Sequence, residues 1–182
     1  MKVSTKRLLL RDWNQKDVVD LVEGLNNYKV SKWLARVPYP YKRNDALRWI
    51  KYCKQNAKRK DRSYHFAIEL KSEKKVIGGI SLDKINMFNG VGGGGFWINM
   101  KYQRQGYGAE ALAAKINFAF NKLKLRRLES GFFKGNKQSL NLQKKFGYKI
   151  EGLRRKGLKC KADGKLKDEY ITAVLKEDWE RL

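Results

Sequence analysis

The amino-acid sequence predicts an α/β fold of the α+β kind, a single domain over residues 1–182 with a mixed, mostly antiparallel sheet of about seven strands and about four helices. Three observations carry this expectation. Apolar residues recur with strand and helix periods in the order β-α-α-β-β-β-α-β-α-β-β, with no internal repeat. A length of 182 residues suits one well-buried core and is short for two. A glycine-bearing turn, Gln103-Arg104-Gln105-Gly106-Tyr107-Gly108, stands between a short apolar strand and an apolar-striped helix.

Lys6 to Arg11 reads as a first strand ended by Asp12. Asn14 can cap a helix in which Val18, Leu21, Val22 and Leu25 share one face, ending near Asn26-Asn27. Val37-Pro38-Tyr39-Pro40-Tyr41 holds both prolines and is a loop; Asn44 is then expected to cap a second helix with Ala46, Ile50, Cys53 and Ala57 on one side. The polar stretch Lys54 to Arg62 is expected to be a solvated helix end and loop rather than a nucleic-acid contact. Tyr64 to Leu70 and Val76 to Ile85 read as adjacent antiparallel strands. His65, on the first of them, is given no role, since a lone strand histidine is more often packed than catalytic.

The run Asn89 to Gly95 spells GxGxxG at Gly90, Gly92 and Gly95. A dinucleotide fingerprint needs a strand before it and a helix after it, whereas Phe96-Trp97-Ile98 begins a strand, so the run is read as a hairpin turn. No Gly-Lys-Ser/Thr follows, which excludes a P-loop. Leu112, Ile116, Ala119, Phe120 and Leu123 make an amphipathic stripe of about four helical turns. Leu128 to Phe133 is a strand, Ser139 to Phe146 a short helix stopped by Gly147, and Tyr148 to Leu153 and Asp168 to Leu175 are strands joined by a polar hairpin around Asp163-Gly164.

Composition narrows the function classes. Hydrophobic residues make up 42%, yet the longest apolar run falls far short of the roughly 18 residues a membrane span needs. The Leu8-Leu9-Leu10 stretch is too short for a secretory core of about 7 to 15 residues, so a cytoplasmic location is expected. Cys53 and Cys160 lie far apart, without CxxC spacing and with a single histidine in the chain; reduced thiols and no metal are expected. The formal charge of +24 implies attraction to polyanions such as RNA or to a phosphate-rich ligand. Lysine-rich surfaces also serve solubility and heat resistance, and charge is silent on reaction type.

A strand running into a glycine turn and then a helix offers unpaired N–H groups at the positive end of the helix dipole, an anion site. Gly106 and Gly108 lack the Cβ that would keep phosphate oxygens from the backbone, and Arg104 adds a fixed positive charge. Glu110, in the first helical turn, suits the dipole better than catalysis.

Gln103 to Gly108 resembles the Gln/Arg-x-x-Gly-x-Gly/Ala motif of GCN5-related N-acetyltransferases (GNAT), and the element order resembles the GNAT fold, whose sheet splays in the middle. More narrowly, the chain is similar to the ribosomal-protein N-terminal acetyltransferase (RimJ/RimL-like) branch. The similarity runs over nearly the whole length, through Thr5 to Arg11, Pro38 to Tyr41, Phe66-Ala67-Ile68, Ile77 to Ile80, Gly95 to Ile98, Gly106 to Ala111, Asn136 with Ser139, Phe146-Gly147-Tyr148, Glu151-Gly152 and Asp168.

The resemblance implies acetyl-CoA as donor, with its pyrophosphate on the amides of Gln105, Gly106, Tyr107, Gly108 and Ala109, its pantetheine along Phe96, Trp97 and Ile98, and its reactive end near Asn136. Acetyl transfer needs a neutral amine, a donor for the carbonyl oxygen as it gains charge, and a proton for the departing thiolate. Many family members supply that proton from a tyrosine seven residues after the Asn; Gln143 stands there in this chain, within the expected cofactor contacts but without a useful proton. The branch places a serine three residues after the Asn, matched by Ser139, the expected thiolate donor. Glu129, Asp83 and Asp168 remain open as base candidates, as does an amine that arrives neutral.

Three functions compete. The first acetylates protein N-terminal amines, its basic surface riding on ribosomal RNA. The second acetylates a small amine such as a polyamine, aminoglycoside or amino sugar. The third is a non-catalytic RNA-binding module, motivated by the missing tyrosine and the basic clusters Lys122 to Arg127 and Arg154 to Lys161. The acceptor pocket is expected between the first two helices, the Pro38 to Tyr41 loop and the Asp163-Gly164 hairpin.

Overall fold

The structure is a computed structural model that describes residues 1–59 and 63–181. Lys60 and Arg62 of the expected polar loop lie outside the described residues. In chain order the elements are β1 (Lys2–Ser4), β2 (Leu8–Asp12), α1 (Val18–Leu25), α2 (Tyr28–Ser31), α3 (Arg43–Asn56), β3 (Tyr64–Leu70), β4 (Lys75–Asn86), β5 (Val91–Gly93), β6 (Phe96–Ile98), α4 (Tyr107–Asn117), β7 (Arg127–Phe133), α5 (Lys137–Lys145), β8 (Lys149–Lys159), β9 (Leu166–Leu175) and α6 (Lys176–Glu180). The described residues thus carry nine strands where about seven were expected; β1, at the N-terminus, and β5, within the glycine run, account for the difference.

The strands form a mixed sheet in the order β1-β2-β3-β4-β5-β7-β9-β8, with β6 paired to β4 beside that path. Among the described residues only β5 and β7 run parallel, Gly92 opposite Leu128. The other pairings are antiparallel, including the expected β3–β4 pair with Phe66 opposite Ile80. One edge of β4 is shared: Gly78 to Ile80 pair with β6, and Asp83 and Asn86 pair with β5. Past Gly93 the chain stays on β4, while β7 continues beside β9, so the sheet opens between β6 and β7.

Two apolar layers cover the sheet. Leu8, Leu10, Phe66, Ile80, Leu82 and Leu128 pack with Leu112, Ile116, Phe118 and Phe120 on the α4 side. Ala67 and Val76 meet Val18, Leu21, Ile50 and Cys53 of α1 and α3 on the other. Both cysteines are buried and unpaired.

Three local expectations are corrected. Asn44 does not cap α3; the cap falls two residues earlier, at Lys42, and the Asp45 carboxylate accepts from the Lys42 amide at 2.8 Å. The glycine run is not merely a turn: Val91–Gly93 is a strand, because it is squeezed where side chains have no room. A Cβ on Gly92 would lie 2.9 Å from Leu125, and one on Gly93 3.2 Å from the Glu129 carbonyl. The helix after the turn stops being α-helical at Asn117, and Phe118–Lys122 continue as a π-helical turn closed by a Leu123 N–H to Phe118 bond. Asn14 does cap its helix, accepting from Lys16, and α1 follows through the 3-10 turn Gln15–Asp17.

Candidate active site

The opening in the sheet has an apex, an edge and an anion turn. Gly94 makes the apex with φ +118°, and a Cβ there would come within 2.4 Å of the Ser81 carbonyl, so only glycine fits. Its own carbonyl accepts from the Lys115 ammonium at 3.3 Å and from the Ser130 hydroxyl at 3.5 Å. Lys115 is 2% exposed, and burial pushes its ammonium down to about 8, with Asp83 pulling the other way. No sequence signal singles this lysine out, since it lies beside Ile116 on the edge of the apolar stripe.

The edge belongs to β6. Ser81 N–H donates to the Gly95 carbonyl and Asn99 N–H to the Ile77 carbonyl, so Gly95, Trp97 and Asn99 turn their backbone toward β4. Phe96 and Ile98 therefore turn theirs into the opening. The Ile98 carbonyl is taken by the Gln103 side-chain amide at 2.8 Å, which leaves the Ile98 N–H and both Phe96 groups on the open edge. The Trp97 ring points the other way, against α1, where a Cβ on Gly24 would sit 2.4 Å from it. Phe96 and Ile98 side chains lie 3.6 and 3.7 Å from the Cβ position of Gly108.

The anion turn joins β6 to α4. Arg104 at φ +61° and Gly106 at φ +83° bend the chain back on itself, and Gly106 caps the helix. The first helical bond runs from the Glu110 N–H to the Gly106 carbonyl at 3.0 Å, so the amides of Tyr107, Gly108 and Ala109 stand ahead of it without helical acceptors. Arg7 closes one side: its guanidinium donates to the Gln105 carbonyl at 2.9 Å and to Glu110 at 2.7 Å, and stacks 4.4 Å above the Tyr107 ring. Against the cost of partial burial, Thr5 and Arg7 hold the Glu110 carboxyl below the usual range. These donors suit a pyrophosphate: amides at a helix start behind a left-handed glycine, with the Arg7 guanidinium beside them.

Across the opening, Asn136 caps α5 by accepting from the Ser139 N–H at 3.1 Å. Gln143, one turn on and 4% exposed, spends its amide inside the protein: Thr172 donates to its oxygen at 2.6 Å, and its nitrogen donates to Ser139 at 3.1 Å and Ser130 at 3.4 Å. Thr172 and Ser130 lack a motif and were not legible beforehand.

Asp83 and Glu129 alternate with the core residues Leu82 and Leu128, so both lie on the sheet face opposite α4. Ser81 donates to Asp83 at 3.0 Å and, on its other side, accepts from the Gly95 amide at 3.3 Å. Glu129 is exposed and paired with Arg127 at 3.1 Å. Asp168 is engaged elsewhere, accepting from the Lys156 amide at 2.9 Å. On the same face the β8–β9 hairpin closes over the α2 end: the Lys161 N–H donates to Ala35 at 3.0 Å, Lys167 to the Lys32 carbonyl at 2.8 Å, and the Tyr28 hydroxyl to Asp163 at 3.3 Å. Among the described residues no group of three His, Cys, Asp or Glu side chains converges as a metal site, and no helix is long and apolar enough to cross a membrane.

The chain is similar to known N-acetyltransferases. Over 181 residues the chain is 29% identical to the uncharacterized N-acetyltransferase YnaD of Bacillus subtilis, covering 98% of this chain and 99% of that one. It is 28% identical over 123 residues to the ribosomal protein uS5-alanine N-acetyltransferase of Escherichia coli, covering 64% and 60% respectively. The crystal structure of a GNAT-family acetyltransferase from Bacillus anthracis superposes with a TM-score of 0.81 at 25% identity, covering 97% of this chain and 99% of that one. Residues 7–149 match the acetyltransferase (GNAT) domain family, and the chain belongs to that family.

Proposed function

We propose that the chain transfers an acetyl group from acetyl-CoA to the N-terminal α-amine of a protein. The observation that carries this reading is the coincidence of a free helix-start anion turn with an unpaired strand edge leading from it to a polar apex. Acetyl-CoA, when bound, supplies the acetyl group as a thioester. Gln105 to Ala109 offer their amides to its pyrophosphate, with Arg104 and Arg7 adding charge, while Gln103 braces the turn against Ile98. Phe96 and Ile98 offer their free backbone groups to the pantetheine amides, and the Trp97 ring fixes the strand from behind. Asn136 holds the start of α5 near the reactive end.

Ser139 donates a hydrogen bond to the sulfur as charge grows there, in place of the tyrosine that Gln143 replaces, and water carries the proton that the leaving thiolate finally takes. Asp83 is the better supported base, reaching the amine through water, because Ser81 ties it to the apex while Glu129 is paired with Arg127 at the surface. The likeness to the uS5-alanine enzyme supports a protein acceptor, a cytoplasmic setting and, with a charge of +24, an RNA-rich particle as its carrier.

Thiol release from acetyl-CoA, measured against peptides with free N-termini and against polyamines, aminoglycosides and amino sugars, tests the acceptor. Turnover with peptides and not with the small amines is expected. Efficient turnover of a small amine with no peptide modified would replace the protein acceptor by a small one, and RNA binding without acetyl-CoA affinity would leave a non-catalytic module.

A further inference from the structure

We infer that Gln143 is a positioning residue that aims the Ser139 proton into the opening of the sheet. The inference rests on the reading of Ser139 as thiolate donor and adds to it why a glutamine can stand where the family has a tyrosine.

A serine hydroxyl has one proton to give and two lone pairs to fill. Whether Ser139 can donate outward depends on what its neighbours ask of it. If Gln143 presented its oxygen to Ser139, the serine proton would be spent inside the protein. With its nitrogen facing Ser139, a lone pair is filled from behind and the proton is released toward the opening.

Two contacts decide the orientation of the amide. Thr172 lies 2.6 Å from the other end of the Gln143 amide, a length typical of O–H···O and short for N–H···O, so that end is the oxygen and Thr172 is the donor. Ser130 turns its own proton to the Gly94 carbonyl, which can only accept, so Ser130 needs a donor on its lone pair, and Gln143 nitrogen is at 3.4 Å. The chain of donors therefore runs Thr172 to Gln143 to Ser139, and the same amide ties Ser139 through Ser130 to the Gly94 apex of the opening. Gln143 is only 4% exposed, which keeps water from competing for either end of the amide.

The test reads the protonation of bound CoA rather than turnover. A thiol left alone titrates near 8.5; a hydroxyl donating to the thiolate lowers that value, by about one pKa unit for one charge-assisted bond. The thiolate absorbs in the ultraviolet, so the bound thiol can be titrated with wild type, Ser139→Ala, Gln143→Met and the double variant, each checked by thermal unfolding and by its CoA affinity. Both single variants are expected to raise the bound-thiol pKa by similar amounts, and Gln143→Met to add almost nothing once Ser139 is alanine, the non-additivity of residues acting in series. A full and independent effect of Gln143→Met in the Ser139→Ala background, or no effect beside a real Ser139→Ala effect, overturns the positioning role and leaves Ser139 as donor. No effect of Ser139→Ala removes the donor, and the positioning role falls with it. Thr172→Val, which deletes only the hydroxyl that fixes the amide, carries the same comparison if Gln143→Met does not fold.

Discussion

Arg7 and Glu110, 103 residues apart, meet in a two-point contact: the Arg7 amide and guanidinium both donate to the Glu110 carboxylate, at 2.8 and 2.7 Å. The pair fastens the start of α4 to the entry of β2, and the second arm of Arg7 holds the Gln105 carbonyl, so that the turn's other amides face outward. Glu110 thus serves as a clamp as well as a partner of the helix dipole.

Glu110→Ala is expected to weaken acetyl-CoA binding about tenfold and to lower the unfolding temperature by several degrees, since it strands a half-buried guanidinium and two further donors. Calorimetric titration and thermal unfolding read the two effects. Arg7→Lys should not rescue Arg7→Ala, because an ammonium cannot hold Gln105 and Glu110 in one plane. A fully active lysine variant would reduce the contact to simple charge pairing.

Lys115 gives a stability signature. Its folded-state value of about 8 lies below the ordinary lysine value of 10.5, so between those pH values the unfolded chain binds more protons at this site than the folded one. Stability from this residue therefore rises with pH through that window, by at most about 3 kcal/mol, and is lowest below it. Denaturant unfolding of wild type and Lys115→Met at several pH values should show the wild type gaining on the variant from pH 8 upward. Parallel curves would show that the ammonium finds a partner as good as water.

Asp83→Asn is expected to cut kcat about tenfold near neutrality and to do so less as pH rises, because an amine that is already neutral needs no base. Glu129→Gln should be close to wild type across the same range. A pH profile that reverses these two would move the base to β7.

The architecture was legible where periodicity was strong and local. The β3–β4 pair, the apolar stripe of α4 and the glycine turn before it all follow from spacing of residues near one another in the chain. The glycine run was harder, because glycines suppress the strand signal, and the reason for them at Gly92 and Gly93 is crowding by Leu125 and the Glu129 backbone, both distant in sequence. The cap of α3 is not legible because the Asp45 carboxylate takes the Lys42 amide from inside the helix, while Asn44 beside it is a residue type that often caps. Within the site, Gln103 to Ala109 and Asn136 with Ser139 stood out by motif. Lys115, Ser130 and Thr172 did not, and Arg7 stood in a matched stretch without a role, since each matters through a partner brought to it only by the fold.

The most direct test is acetyl-CoA binding by Gly106→Val, compared with wild type by calorimetric titration. Gly106 holds φ +83°, and a side chain there would point where Arg7 and the outward amides meet, with the nearest guanidinium nitrogen 3.1 Å from its Cβ. The account predicts a folded variant, destabilised by about 1–2 kcal/mol, whose affinity for acetyl-CoA falls at least tenfold. Unchanged affinity in that variant would contradict the claim that this turn holds the pyrophosphate.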